Sequence, residues 1–236
     1  MAKVYVLQHH PVENLGTIAD ALEGAALAWQ YVRVADGQTV PRDMKAAGGL
    51  IVMGGPMSVY QTERYPWLRD EMRLINDAVE QNLPVLGVCL GAQIVAAALG
   101  AKVERNPRGK EIGWHPIRLD AAAKSDRLMS SLPETFTPFH WHGDIFELPN
   151  GATSLASSDK SPCQAFRYGE KTHALQFHFE VTRESISAMC EAFAKELQRE
   201  QIPAAELIDK SSEFLPLLEK FADTVFSRWA SPIQGI

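Results

Sequence analysis

The run Leu83-Pro84-Val85-Leu86-Gly87-Val88-Cys89-Leu90-Gly91-Ala92-Gln93-Ile94-Val95-Ala96-Ala97-Ala98-Leu99-Gly100-Ala101 is 19 residues without a charge. A membrane-spanning helix needs about 20 predominantly apolar residues, so length alone does not place this segment. Its composition does. Pro84, Gln93 and three glycines divide it into two unlike parts. Residues 84–88 read as a short buried strand. Residues 92–99 are alanine-rich and helical, and Gly100 stops them at the position just past the last turn that glycine favours. A buried strand running directly into a helix is the repeating unit of a parallel sheet covered on both faces.

The flanking sequence repeats that unit. Residues 4–7 and 30–34 read as strands around a helix at 14–29. Residues 50–53 form an apolar strand that runs into Gly54-Gly55-Pro56, and 67–81 carry helical spacing at Leu68, Met72, Ile75 and Val79. The middle changes character: 110–119, 136–142, 153–157, 164–168 and 173–179 are strand candidates joined by short polar turns, which suggests an antiparallel extension. Helical spacing returns at 182–197, breaks at Pro203 and resumes at 210–229. The expected architecture is α/β: a three-layer, doubly wound, mostly parallel central sheet with an antiparallel extension. One domain over 1–200 would carry a C-terminal helical appendage over 201–236.

Composition narrows the function classes. With 46% hydrophobic and 22% charged residues the chain has the makeup of a globular protein. A net charge of −6 and no basic tract longer than two residues argue against nucleic-acid and membrane partners. The apolar run at 4–7 is too short for a targeting segment. Cys89, Cys163 and Cys190 are too few and too scattered for a disulfide framework, which makes a reducing cytoplasm the expected location.

Cys89 stands in Gly87-Val88-Cys89-Leu90-Gly91, the pattern of a nucleophile elbow between strand and helix. A helix start there would aim free N–H groups and its positive dipole end at the sulfur, favouring thiolate and preparing an oxyanion site that includes the Leu90 N–H. A cysteine nucleophile needs a base, and the base an orienting group. Gln176-Phe177-His178-Phe179-Glu180 supplies both: in extended chain His178 and Glu180 share a face while Phe177 and Phe179 share the other. Gly54-Gly55-Pro56-Met57-Ser58 has the glycine content of a loop that presents backbone N–H groups to an anion. Among seven histidines, His140 and His142 could chelate, and His9 and His10 follow the first strand, but neither pair has the spacing of a zinc motif. Cys163 and Cys190 read as inert.

These pieces together resemble the class I glutamine amidotransferases: the G-x-C-x-G-x-Q elbow, an H-x-E pair with His178 89 residues after Cys89, and a G-G-P-x-S loop upstream. The resemblance spans about residues 3–190 and implies a flavodoxin-like fold. It implies Cys89 as nucleophile, His178 as base and then acid, Glu180 as orienter, and the Gly55 and Leu90 N–H groups as oxyanion hole. Gly54, Gln93 and the stretch Trp141-His142-Gly143-Asp144 would bind substrate. The chain departs from the family at Phe179, where most members carry proline; a phenylalanine should leave the triad intact but reshape how a partner approaches.

The implied chemistry is hydrolysis of the glutamine side-chain amide through a cysteinyl γ-glutamyl thioester, with release of ammonia and no requirement for a metal or cofactor. The pattern is most similar to stand-alone proteins akin to the amidotransferase domain of GMP synthase, with ammonia passed to a separate synthase. Two other readings remain open: a hydrolase or transferase acting on a γ-glutamyl peptide or amine, and a non-catalytic binding or regulatory module of the same fold.

Overall fold

The structure, a computed structural model, describes residues 3–233. In β1 (Lys3–Gln8), Val4 and Val6 join one hydrophobic core while Tyr5 and Leu7 join another. Side chains alternate along a strand, so a strand buried on both faces must sit between two packed layers. The same division recurs around it. The first half of the chain adds α1 (Thr17–Gly24), β2 (Ala28–Arg33), β3 (Gly49–Val52), α2 (Trp67–Glu80), β4 (Val85–Val88) and α3 (Leu90–Ala98). The middle supplies β5 (Val103–Arg105), β6 (Glu111–Trp114), β7 (Ile117–Leu119), β8 (Thr135–Phe136), β9 (Phe139–His142) and β10 (Asp144–Phe146). Then come β11 (Ala152–Ser157), β12 (Ala165–Tyr168), β13 (Thr172–Leu175) and the helices α4 (Arg183–Ala192), α5 (Ala194–Glu200) and α6 (Ala204–Ala230).

The main sheet runs β2-β1-β3-β4-β13-β12-β11-β7-β8. Pairing is parallel from β2 to β13 and antiparallel from β13 to β8, so the expected α/β sheet with an antiparallel extension is present. Helices α2 and α3 cover one face. The other is covered by α1, α4 and α6, the last burying Leu215, Leu218, Ala222, Val225, Phe226 and Trp229. Two small antiparallel ribbons, β5–β10 and β6–β9, stand apart from the main sheet. No helix among the described residues is long and apolar enough to cross a membrane.

Several boundaries differ from the sequence reading, each for a local reason. The helix expected at 14–29 covers only Thr17–Gly24, between positive-φ turns at Gly16 and Ala26, and Ala28 and Trp29 belong to β2. The single strands expected at 110–119 and 136–142 each split between two sheets, at Pro116 and Pro138, which cannot donate to a ladder. The strand expected at 173–179 leaves the sheet after Leu175. The helix expected at 182–197 breaks at Phe193, and the one expected at 210–229 begins at Ala204, directly after Pro203. In α2 the buried stripe is Leu68, Glu71, Leu74, Ile75 and Ala78, so Met72 and Val79 flank it and a glutamate lies inside it.

The backbone packs very closely where α3 starts. A Cβ added at Gly91 would lie 1.9 Å from the Val52 carbonyl oxygen and 2.5 Å from its carbon, backbone atoms at the end of β3. Gly91→Ala is therefore expected to destabilise the protein by about 3 kcal/mol, the upper range for overpacking. Gly24→Ala, where a Cβ meets nothing within 4 Å, should change stability by less than about 1 kcal/mol. Urea unfolding of the two variants measures the contrast.

Candidate active site

In an open parallel sheet, ligands bind outside the carboxyl ends of the strands. Here four neighbouring strands, β1, β3, β4 and β13, end in chemically distinctive residues. His9 follows β1, Gly54 and Gly55 follow β3 after one residue, Cys89 follows β4, and His178 lies just past β13.

Cys89 has φ 53° and ψ −111°, a left-handed backbone uncommon for a residue with a side chain. The turn is held because its N–H donates to the Leu175 carbonyl at 2.8 Å while its own carbonyl accepts from the Gln93 N–H at 3.2 Å. Leu90 is the first residue of α3, so its N–H has no acceptor within the helix. The Sγ–H donates to the Trp141 carbonyl at 3.4 Å. Burial pushes the thiol pKa up, against a pull downward from His178. Burial thus works against the thiolate that the helix end favours, while the neighbouring His178 works for it. Cys163 and Cys190 are also buried, with thiols pushed by burial up to about 12 and about 11.

His178 is held from three directions. Its backbone N–H donates to the Phe139 carbonyl at 2.8 Å, in an isolated bridge to β9. Its Nδ1 lies 2.6 Å from Glu180 Oε1. Its Nε2 has no hydrogen-bond partner, and the Cys89 thiol is near enough to act on the ring electrostatically. Burial pulls the imidazole pKa down, but Glu180 and Cys89 together carry it well above its ordinary 6.5. His178 and Glu180 face the same way although they lie outside any strand. Phe177 and Phe179 anchor the other side: Phe179 stacks on Phe136 at 5.3 Å and meets Phe226 of α6 edge-on. Phe179 is 1% exposed, so it packs the core and does not shape a partner's approach, contrary to expectation. The Glu180 carbonyl accepts from Thr17 N–H at 2.9 Å, and a Cβ on Gly16 would lie 1.9 Å from that oxygen.

A cleft of about 260 Å³ opens over Cys89. Gly55, Leu90, Gln93, Trp141, His142, Gly143 and Asp144 all line it, whereas Gly54 does not: its carbonyl turns away to His9. The Gln93 Nε2 donates to the Asp144 carbonyl and to Gln176 Oε1, both at 3.3 Å. The Trp141 Nε1–H donates to Glu196 Oε2 at 2.9 Å. Arg105, Lys110 and Arg199 border the cleft, and Lys110 is paired with Glu196 and Glu200. Met57 and Ser58 of the glycine loop complete the wall.

Three buried carboxylates around the site, Glu111, Glu71 and Glu13, escaped the sequence reading. Glu111 accepts from Ser158 Oγ at 2.7 Å, Ser161 Oγ at 2.6 Å and Gln164 Nε2 at 2.9 Å, and lies 3.4 Å from His142 Nε2. Glu71 pairs with His9. Glu13 lies beside His178, Glu180 and His9, and burial pushes its carboxyl pKa up. Glu13, His178 and Glu180 place ligand atoms within 4.8 Å of one another, the one such group that could hold a metal among the described residues. The short His178–Glu180 bond already engages the imidazole Nδ1. Only Glu71 had a signal in the sequence, as a charge inside the apolar stripe of α2.

Residues 13–197 match the family model "Glutamine amidotransferase class-I". The chain is 34% identical over 198 residues to the glutamine amidotransferase-like protein YfeJ of Salmonella typhimurium, covering 83% of this chain and 82% of YfeJ. It is 37% identical over 141 residues to the glutamine-hydrolyzing GMP synthase of Leifsonia xyli, covering 58% of this chain and 26% of the synthase. Among solved structures, a glutamine amidotransferase from Thermotoga maritima superposes with a TM-score of 0.89 at 30% identity, covering 97% of this chain and 98% of its own. One from Methylobacillus flagellatus has a TM-score of 0.89 at 28% identity, covering 97% and 94%.

Beside the cleft, His142 Nδ1–H donates to the Asp144 carbonyl at 3.1 Å, and burial pulls the ring pKa from 6.5 down to about 4. Between these values the unfolded chain binds a proton that the folded chain refuses, so stability falls as pH drops from about 6.5 to 4. Urea midpoints stepped through this range should decline, and His142→Gln should flatten the decline. A wild-type-like slope in the variant would contradict the assignment.

Proposed function

Because this chain belongs to the class-I glutamine amidotransferase family, we propose that it hydrolyses the side-chain amide of glutamine and releases ammonia, with Cys89 as nucleophile. The observation that carries this reading is the buried sequence Cys89–His178–Glu180 at the sheet edge, with His178 Nδ1 bound to Glu180 and Nε2 left without a nitrogen or oxygen partner. As Sγ attacks the amide carbon, its proton passes to His178 Nε2 and a C–S bond forms. The oxygen that becomes negative faces the N–H groups of Gly55 and Leu90, donors that cost no reorganisation. His178 then gives its proton to the leaving nitrogen, the C–N bond breaks and ammonia departs. Water attacks the thioester with His178 again as base, and the released thiol recovers its proton. Glu180 holds the imidazole in the required tautomer. Gln93, Trp141, His142, Gly143 and Asp144 are the groups proposed to hold the γ-glutamyl part.

Attack and proton transfer to His178 are coupled, and the imidazolium formed is stabilised by the adjacent carboxylate. The chain spans about a quarter of the GMP synthases it matches, and a synthase is the proposed consumer of the ammonia.

A second reading rests on two basic residues of the cleft. Arg105 and Arg199 line it without a salt bridge to any described carboxylate, which would suit a γ-glutamyl compound whose leaving group is larger than ammonia and carries a negative charge. A substrate panel separates the two. Glutamine should release ammonia, and Cys89→Ala should lower the rate by on the order of 10⁴-fold or more. Cleavage of γ-glutamyl dipeptides at far higher kcat/KM than glutamine would select the second reading. Turnover of any substrate that survives Cys89→Ala would contradict both.

A further inference from the structure

We propose that His9 and Glu71 form a buried positioning pair that sets the direction of the Gly55 N–H, and with it the oxyanion site facing Cys89; the inference rests on the function proposed above. His9 stands one residue past β1 and its side chain is fully buried. Its Nδ1 lies 3.1 Å from the Gly54 carbonyl oxygen, and its Nε2 lies 3.1 Å from each oxygen of Glu71 on α2. A carbonyl and a carboxylate both accept, so the arrangement calls for both ring nitrogens to donate, which makes the ring an imidazolium balanced by Glu71. The groups packed on this ring are Glu71 and Trp67 from α2, the Gly54 carbonyl from the loop after β3, and Glu13 from the segment after β1. Burial pulls the ring pKa down, but Glu71 leads the contributions that leave it above its ordinary value.

The geometric consequence follows from the planarity of one peptide unit. The Gly54 carbonyl and the Gly55 N–H belong to the same trans peptide and point in opposite directions. Holding the oxygen on His9 therefore turns the N–H to the other side. Gly55 lines the cleft there with Cys89, and its N–H donates to no acceptor among the described residues.

The loop needs an external clamp because of what crowds it. A Cβ at Gly54 would lie 2.3 Å from Glu13 Oε2, and one at Gly55 would lie 2.6 Å from the His9 Cβ and 2.9 Å from Leu90 Cδ2. A side chain at Gly55 would clash with the His9 Cβ, one at Gly54 would have to displace the Glu13 carboxylate, and two adjacent glycines leave the peptide between them free to rotate. The His9 hydrogen bond supplies the restraint that side chains cannot. A buried ion pair adds little net stability over an apolar pair of the same shape, so its use here is orientation. His9 and Glu71 touch no substrate; they act through the Gly54–Gly55 peptide.

Two substitutions separate orientation from simple packing. In His9→Asn the amide nitrogen takes the place of Nδ1 and can still donate to Gly54. In His9→Gln it takes the place of Nε2 and can reach only Glu71. The experiment compares kcat and KM for the substrate preferred by the wild type, the melting temperature, and the affinity of a glutamine aldehyde analogue. The aldehyde forms a hemithioacetal with Cys89 whose oxygen occupies the oxyanion site. We expect His9→Asn to keep at least about a tenth of kcat and His9→Gln to lose about 10²-fold, the order for losing an oxyanion donor. KM should be little changed, the two melting temperatures similar, and aldehyde affinity should follow kcat. Equal losses in the two variants, or a loss confined to KM or melting temperature, would overturn the pair's role while leaving the Cys89 chemistry standing. A wild type without Cys89-dependent turnover would overturn both.

Discussion

The start of α3 lies directly on the end of β3, with the Gly91 Cα against the Val52 carbonyl and no space for a methyl group between them. Every other feature of the site depends on that approach. It forces the chain to leave β4 through a left-handed Cys89, because only a sharp turn brings the helix down onto the neighbouring strand. It also brings the Leu90 side chain beside the glycine loop, where a Cβ on Gly55 would lie 2.9 Å from Leu90 Cδ2. Parallel β1 and β13 flank β3 and β4 and deliver His9 and His178 to the same edge.

Burial then decides the protonation pattern. Cys89, His178, Glu180, His9, Glu71 and Glu13 are all buried, and isolated charges there would be costly. The molecule places them in pairs: His178 with Glu180, and His9 with Glu71. Burial pushes the Cys89 thiol pKa up and His178 pulls it down. His140 and His142, buried beside the cleft, are likewise pulled toward the neutral form by burial. Aromatic packing carries the mechanical load, since Phe177 and Phe179 tie the segment bearing His178 and Glu180 to Phe136, and Phe179 ties it to α6.

The parts of this arrangement that are local in the chain were legible from residues alone. Strand, elbow and helix lie within residues 83–101, and His178 and Glu180 are two residues apart, so their patterns survive in one dimension. The family resemblance added the ordering of these pieces. Pairings across long separations left no such trace: His9 meets Glu71 62 positions away and Gly54 45 away. Glu71 was hidden by a one-residue error in the phase of α2, where reading Met72 and Val79 as core turned the glutamate outward. Glu13 precedes α1 in a segment with no periodicity. Residues 110–119 and 136–142 read as continuous strands because apolar character continues across Pro116 and Pro138 while the hydrogen-bond ladder does not.

The central claim is that glutamine, or another γ-glutamyl compound, passes its acyl group to the Cys89 sulfur. Rapid acid quench of the protein during turnover, followed by mass analysis of the peptide that carries Cys89, tests this directly. A mass increase of one γ-glutamyl group is expected on that cysteine, lost on treatment with hydroxylamine. Turnover with the adduct on another residue, or with no adduct under conditions that trap thioesters, would contradict it.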